Sequence, residues 1–292
     1  MAIEEARPVG VEARGAWLAG VRVSVVIPAL NEAENLPHVL PRIPTWVDEV
    51  VLVDGHSTDD TLGVARQLWP NIHIVDEERR RRDTPDWPAP EERRSEGMTL
   101  RLVSQRGRGK GDALRCGFAA ATGDIIVMLD ADGSTDPAEI PAFVGALLAG
   151  ADFAKGSRFL QGGGTADMPR YRRWGNATFV RLVRLLFGGC YSDLCYGYNA
   201  FWARVVPRLC LDGDGFEIET MMNVRALQVR LKVAEVPSFE AKRVYGAGRL
   251  RTIPDGWRVL KTIWREWAAP RVHSRPEVAG EPVSGVDIQV SR

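Results

Sequence analysis

The sequence predicts an α/β protein built on a mostly parallel sheet flanked by helices. Three observations carry that prediction. Short β-branched runs alternate with helical stretches from residue 21 onward, the pattern of right-handed strand–helix–strand crossovers. The stretch Asp124-Ile125-Ile126-Val127-Met128-Leu129 becomes a continuous apolar run bounded by Thr122-Gly123 and Gly133-Ser134, as a strand buried on both faces would be. It ends in two carboxylates, Asp130 and Asp132, where an open α/β sheet binds ligands, outside the carboxyl ends of its strands.

The elements follow in order. Residues 1–20 read as a flexible leader. Val21 to Ile27 is a β-branched strand stopped by Pro28, and Leu36 to Arg42 a short helix with Pro37 in its first turn, where proline is tolerated. Glu49 to Val53 is a second buried strand; Ser57 is placed to cap a helix over Asp59 to Leu68. Ile72 to Val75 is a third strand. Residues 77–97, rich in Pro, Glu and Arg, read as a mobile insertion; the run Arg79 to Arg82 suits a solvated loop or anionic lipid. Leu100 to Val103 is a strand, and glycines 107, 109 and 111 lead into a helix over Asp112 to Ala121. Such a loop either admits an anion at a helix N-terminus, with Lys110 adding charge, or is a plain helix entry. Pro137 to Leu148 is a helix, Phe153 to Lys155 a strand, Asn176 to Phe187 a helix, and Lys232 to Val236 the last strand.

Composition limits the function classes. The chain of 292 residues is 45% hydrophobic and 26% charged, enough for a large globular core. Its 38 basic residues equal its 38 acidic ones, so nothing global points to nucleic acid. Four cysteines without a CxxC pair read as reduced thiols of a cytoplasmic protein. No apolar run approaches the ~20 residues of a membrane span. The oligomeric state is open.

Adjacent acids at a strand end repel unless a cation sits between them and an anion. Mg²⁺ or Mn²⁺ held by one or two carboxylates plus substrate phosphates meets that need. The alternative is a helix cap and loop, with Ser134 or Asp136 capping a helix that starts at Pro137. The capping reading suits Asp136; for Asp130 and Asp132 both readings stand on the residues alone.

At this point the chain resembles a known family. IPALNE (27–32), VDGHSTDDT (53–61), GKGDALRCG (109–117), LDADGSTDP (129–137) and GSRF (156–159) occur in the order and spacing of family 2 glycosyltransferases with the Rossmann-like GT-A fold. SDLCYGYNAF (192–201), FEIE (216–219), EVP (235–237) and RVYGAGRL (243–250) resemble the dolichol- or polyprenyl-phosphate sugar synthase branch. The resemblance covers about residues 21–250 as one catalytic domain. It implies that Pro28, Ala29, Glu32 and Asp54 line a nucleoside pocket with Lys110 nearby, and that Asp130 and Asp132 hold the metal on a diphosphate. Arg158 is then placed for phosphate oxygens, Arg243 and Arg249 for an acceptor phosphate, and Asp193 or Glu217 for a base or for positioning the acceptor. Glu217 also fits a helix-capping role. The chain departs from the family twice: Asp54-Gly55 stands where relatives often carry two acids, and Ser134 where many carry Gln.

The expected activity is metal-dependent, inverting transfer from a nucleotide-sugar, of GDP-mannose or UDP-glucose type, to a polyprenyl phosphate. The alternatives are transfer to a hydroxyl of a soluble or polysaccharide acceptor, or sugar-nucleotide binding without catalysis. A sugar-nucleotide pyrophosphorylase would open with a GxGxR loop, which IPALNE is not.

Beyond this domain, residues 251–269 predict an amphipathic helix and 270–292 a disordered tail. Trp257, Leu260, Trp264 and Trp267 recur at helical spacing, with Arg258, Lys261 and Arg265 on the other side. That pattern fits a helix lying at the inner face of a membrane, or an aromatic stripe packed on the domain.

Overall fold

The computed structural model describes residue 18 and residues 20–69, 73–76, 97–166, 168–248 and 251–268. The Arg79–Arg82 run, nearly all of the 77–97 insertion, Arg249 and the 270–292 tail lie outside the described residues.

Ten strands are present among the described residues: β1 (Val23–Ala29), β2 (Glu49–Asp54), β3 (His73–Asp76), β4 (Thr99–Ser104), β5 (Ile125–Met128), β6 (Phe153–Ser157), β7 (Gly164–Thr165), β8 (Asn199–Trp202), β9 (Val233–Pro237) and β10 (Phe239–Glu240). Eight of them form one sheet in the order β3-β4-β2-β1-β5-β8-β6-β9, while β7 and β10 pair separately. The sheet is parallel except for β8, which runs antiparallel to both β5 and β6. The α-helices are α1 (Leu36–Val39), α2 (Thr61–Leu68), α3 (Lys110–Ala120), α4 (Ile140–Leu148), α5 (Arg170–Phe187), α6 (Val206–Leu209), α7 (Glu217–Gln228) and α8 (Thr252–Ala268).

The two-residue alternation of the central strands builds a core on each face. Val25, Ile27, Val50 and Leu52 pack with Leu36, Phe143 and Leu147 on one side. Val26, Val51 and Val53 pack with Leu114, Phe118, Ile218 and Met222 on the other. A third cluster joins α5, α7 and α8 through Val183, Val224, Val259 and Ile263.

Three expectations are corrected. Leu18, placed in a flexible leader, is buried in the core, and its carbonyl accepts from the Val21 N–H at 2.8 Å. Pro28 does not stop the first strand: it pairs in register with Val53 inside β1. The Val26 carbonyl accepts from Leu129 on the β5 side and the Ala29 carbonyl from Gly55 on the β2 side. By alternation the absent N–H of Pro28 therefore faces β5 beyond its last paired residue, where no ladder bond is lost. Ser57 caps no helix; its Oγ accepts from the Asn31 N–H at 2.9 Å, and Asp59 accepts from the Thr61 N–H where α2 begins.

Parallel pairing puts the carboxyl ends of β1, β2, β4 and β5 on one edge, with Ala29 opposite Asp54 and Asp54 opposite Ser104. The loops that leave this edge carry the candidate site.

Candidate active site

Asp54 ends β2, buried, with both carboxylate oxygens 3.2 Å from the Ser57 N–H. Beside it opens a cleft of about 650 Å³ lined by Leu30, Gly55, His56, Gln105 and the 106–109 loop. His56 adopts a left-handed backbone, φ 64°, and its Nε2 lies 3.2 Å from the Gly107 carbonyl, which ties the two loops together. Pro28 and Ala29 end the neighbouring strand two and one residues before the lining residue Leu30.

The acid pair follows β5. Gly133, at φ 76°, makes the left-handed turn that brings the chain back after Asp132. Asp130 and Asp132 are held by different cations. Lys110, the first residue of α3, donates to Asp130 Oδ1 at 2.7 Å and to Glu219 Oε1 at 2.6 Å. Burial opposes its charge, but Asp130 and Glu219 outweigh it and hold the Lys110 ammonium above the usual lysine value. Burial, opposed by Lys110 and reinforced by Asp132 and Glu219, pushes the Asp130 carboxyl up to about 6. Arg243 donates to both oxygens of Glu32 at 2.6 Å and to Asp132 at 3.3 Å. The Ser134 hydroxyl donates to Asp132 Oδ1 at 2.6 Å, so it supports the acid from beside it.

Glu32, Asp130, Asp132 and Glu219 thus face Lys110 and Arg243. Four carboxylates against two cations leave two negative charges, the complement of one divalent ion. Space is kept for this cluster by Gly197, whose added Cβ would lie 2.7 Å from Glu219 Oε1 and 2.9 Å from Lys110 Nζ. Among the described residues no three His, Cys, Asp or Glu side chains form a metal site by themselves. The arrangement fits an ion held by Asp130 and Asp132 that completes its shell with phosphate oxygens and water.

Arg158 and Asp193 sit elsewhere in the chemistry. Arg158 forks onto Asp193, Nε to Oδ2 at 2.7 Å and Nη2 to Oδ1 at 2.9 Å. It also reaches Glu240 at 3.0 Å and the Cys195 carbonyl at 3.1 Å, and its guanidinium lies 4.7 Å over the Tyr196 ring. Burial opposes the Asp193 charge, yet Arg158 holds its carboxyl below the usual carboxylate range. The structure pairs the two residues expected as a phosphate fork (Arg158) and as a base or acceptor-positioning group (Asp193) with each other. The fork is filled by a carboxylate, and that carboxylate is wholly buried and strongly paired.

Glu217 lies away from the acid cluster. Its Oε1 accepts from the Gly215 N–H at 2.9 Å, and it lines a second cleft with Trp257, Leu260 and Trp264, not the acid cluster. Glu219, one step further round α7, reaches Lys110. Two residues advance a helix by about 200°, so only one of the two acids can face the metal side. Glu219 is the residue missed as a member of the site, together with the cleft residues His56, Gln105, Arg106 and Arg108. The FEIE motif (216–219) contained the signal.

The model of the glycosyl transferase family 2 domain matches residues 24–83 and 93–206. The chain belongs to glycosyl transferase family 2. Among its curated relatives, the polyprenol monophosphomannose synthase of Mycolicibacterium smegmatis is 29% identical over 238 residues, covering 78% of this chain and 81% of that protein. The undecaprenyl-phosphate mannosyltransferase of Micrococcus luteus is 28% identical, covering 79% and 88%. The dolichol-phosphate mannosyltransferase of Pyrococcus furiosus is 29% identical over 79% of this chain, and the aligned region spans 60% of that longer protein. The solved structure of glucosyl-3-phosphoglycerate synthase from Mycobacterium tuberculosis superposes with a TM-score of 0.63 at 24% identity, covering 90% of this chain and 86% of that one. This likeness shows the fold, the GT-A sheet that the sequence predicted. That synthase has also been solved with Mn²⁺ and uridine diphosphate, and with Mg²⁺ and uridine diphosphate.

Proposed function

We propose that this family 2 glycosyltransferase is metal-dependent and moves a hexosyl group from a nucleotide-sugar, of GDP-mannose or UDP-glucose type, to a polyprenyl phosphate, inverting the anomeric centre. The observation that carries the reading is the strand-end acid cluster, two negative charges in excess beside a cleft of nucleoside size. The names of the relatives support the acceptor class.

In this reading the base and ribose enter the cleft beside Pro28, Ala29, Glu32 and Asp54, and the Asp54 carboxylate accepts from a base N–H. Asp130 and Asp132 hold Mg²⁺ or Mn²⁺, which supplies Lewis-acid neutralisation of the leaving diphosphate. An acceptor phosphate oxygen, already anionic near neutral pH, attacks the anomeric carbon as the bond to the diphosphate oxygen breaks. No general base is required for that nucleophile. Lys110 keeps Asp130 and Glu219 oriented, and Arg243, released from Glu32 and Asp132, is the cation within reach for phosphate oxygens. Arg249, outside the described residues, is a second candidate.

The second reading is transfer to a hydroxyl. It is favoured by one observation: Arg158 and Arg243, two of the cations expected to hold phosphate, are both paired with carboxylates. The donor half is tested by melting the protein with a panel of nucleotide-sugars, with and without Mn²⁺. One GDP- or UDP-sugar should stabilise it only with the metal, by about 2.7 kcal/mol at 100 times Kd. Stabilisation that ignores the metal, or none from any nucleotide-sugar, contradicts the reading.

A further inference from the structure

The exposed surfaces of α5 and α8 are unlike the rest of the molecule. The two helices pack side by side: Phe179, Val180 and Val183 meet Val259 and Ile263, and Arg172 Nε reaches Thr252 Oγ1 at 3.3 Å. Large apolar side chains stand outside that seam at helical spacing. On α5 these are Tyr171, Trp174 and Leu185; on α8 they are Ile253, Trp257, Trp264 and Trp267. The three α8 tryptophans are 61%, 60% and 48% exposed, so the expected aromatic stripe does not pack on the domain. Its neighbours Val259 and Ile263 are the ones buried, while Leu260 is half-buried.

The charges are sorted as sharply. Both acids of α8 point inward: Asp255 accepts from the Arg251 N–H at 2.7 Å, and Glu266 accepts from Arg225 at 2.7 and 3.0 Å. The exposed charged residues of α8 are Arg258, Lys261 and Arg265, and those of α5 are Arg170, Arg173, Arg181 and Arg184. A merely solvated helix pair in a chain with 38 residues of each sign would show both signs. Arg258 and Arg265 reach Asp255 and Asp212, yet more than half of each side chain stays open to solvent.

We infer that α5 and α8 together form a platform that docks on a bilayer bearing anionic headgroups. Tryptophan favours the boundary between headgroup and acyl chain, and each arginine or lysine near an anionic surface adds attraction that salt screens. Among the described residues no helix is long and apolar enough to cross a membrane. The choice of a lipid surface rests on the proposed lipid acceptor. Docking would bring the protein to the surface where that acceptor lies.

The test uses the full chain and vesicles of phosphatidylcholine with or without phosphatidylglycerol, sedimented at low and high salt. Binding should require phosphatidylglycerol and weaken with salt. The triple variant Trp174→Ala, Trp264→Ala, Trp267→Ala should bind at least about tenfold more weakly with an unchanged melting temperature. A second variant, Arg181→Gln with Arg184→Gln, should also weaken binding. No binding by the wild type, or binding that neither variant reduces, overturns the inference. So does a wild-type dimer that the triple variant splits, seen by light scattering, with no vesicle binding by either; the face would then join two copies. Transfer to a short, water-soluble prenyl phosphate separates the two claims. It should survive the triple substitution, and its absence in the wild type would fault the acceptor reading while vesicle binding stood.

Discussion

Arg243 meets Asp132 at 3.3 Å although 111 residues separate them. The backbone makes the same junction: the Val244 N–H donates to the Asp132 carbonyl at 3.2 Å and the Ala241 N–H to the Ser134 carbonyl at 2.8 Å. The basic loop that follows the sheet is thereby fastened to the acid loop after β5. A divalent ion held by Asp132 would compete with this guanidinium for the same carboxylate.

Arg243→Met should therefore bind Mn²⁺ several-fold more tightly than the wild type in the absence of nucleotide, because Glu32 and Asp132 lose their competing cation. Its transfer rate should fall, because the cation for phosphate oxygens is gone. Titration of free Mn²⁺ by electron paramagnetic resonance reads the first effect. Weaker Mn²⁺ binding by the variant would mean that Arg243 organises the acids and does not compete for them.

Lys110 is the counterion of buried Glu219 and of half-buried Asp130, and Lys110→Met removes it. Leaving the two acids uncompensated should destabilise the fold, by less than the about 3–5 kcal/mol of a fully buried pair because Asp130 stays partly solvated. Part of that loss should return with Mn²⁺, since an ion at Asp130 restores positive charge. Chemical denaturation with and without Mn²⁺ decides; a loss that Mn²⁺ leaves untouched argues against metal at Asp130.

Gly197→Ala tests the space in the cluster. The added methyl would press on Glu219, Lys110 and Asp130 together. We expect at least a tenfold loss of transfer, about 1.4 kcal/mol in barrier, with the fold retained by circular dichroism. Full activity would show that the carboxylates move freely aside.

The Arg158–Asp193 pair predicts a pH effect on stability. The folded carboxyl of Asp193 titrates below its unfolded value of about 3.9. Its stabilisation is complete above that unfolded value and is lost as pH falls through the lower folded one. Asp193→Asn should cost up to about 3–5 kcal/mol at pH 7, because it leaves the buried Arg158 with Glu240 as its remaining carboxylate partner. Below about pH 4 the wild type should lose stability more steeply than the variant in urea melts. Parallel curves for the two proteins would contradict the pairing.

Much of the sheet was legible because its strands are apolar on both faces. Glu49–Asp54 and Ile125–Met128 are wholly buried, and each was readable within a residue or two. The antiparallel β8 was not legible as such. Asn199–Trp202 is only four residues long, and its direction is set by the loops around it. The proline rule failed at Pro28 because the neighbouring strand ends first, a fact held in the pairing and not in the local sequence. At the site, the positions of Asp54, Asp130 and Asp132 followed from strand ends. Which partner each charge finds did not. Arg158 was readable as a residue after a strand, but its capture by Asp193 depends on a loop 35 residues away. The choice between Glu217 and Glu219 turns on the rotation of α7, which its nearly all-round burial hides from any amphipathic pattern.

The most direct measurement of the central claim is the transfer of labelled sugar from GDP-mannose and from UDP-glucose to polyprenyl phosphate with Mn²⁺, followed by extraction into organic solvent. Label from one of the two donors should become extractable, and EDTA or Asp132→Ala should abolish it while that variant stays folded. Label that remains aqueous on a saccharide, or turnover that persists in excess EDTA, would contradict that claim.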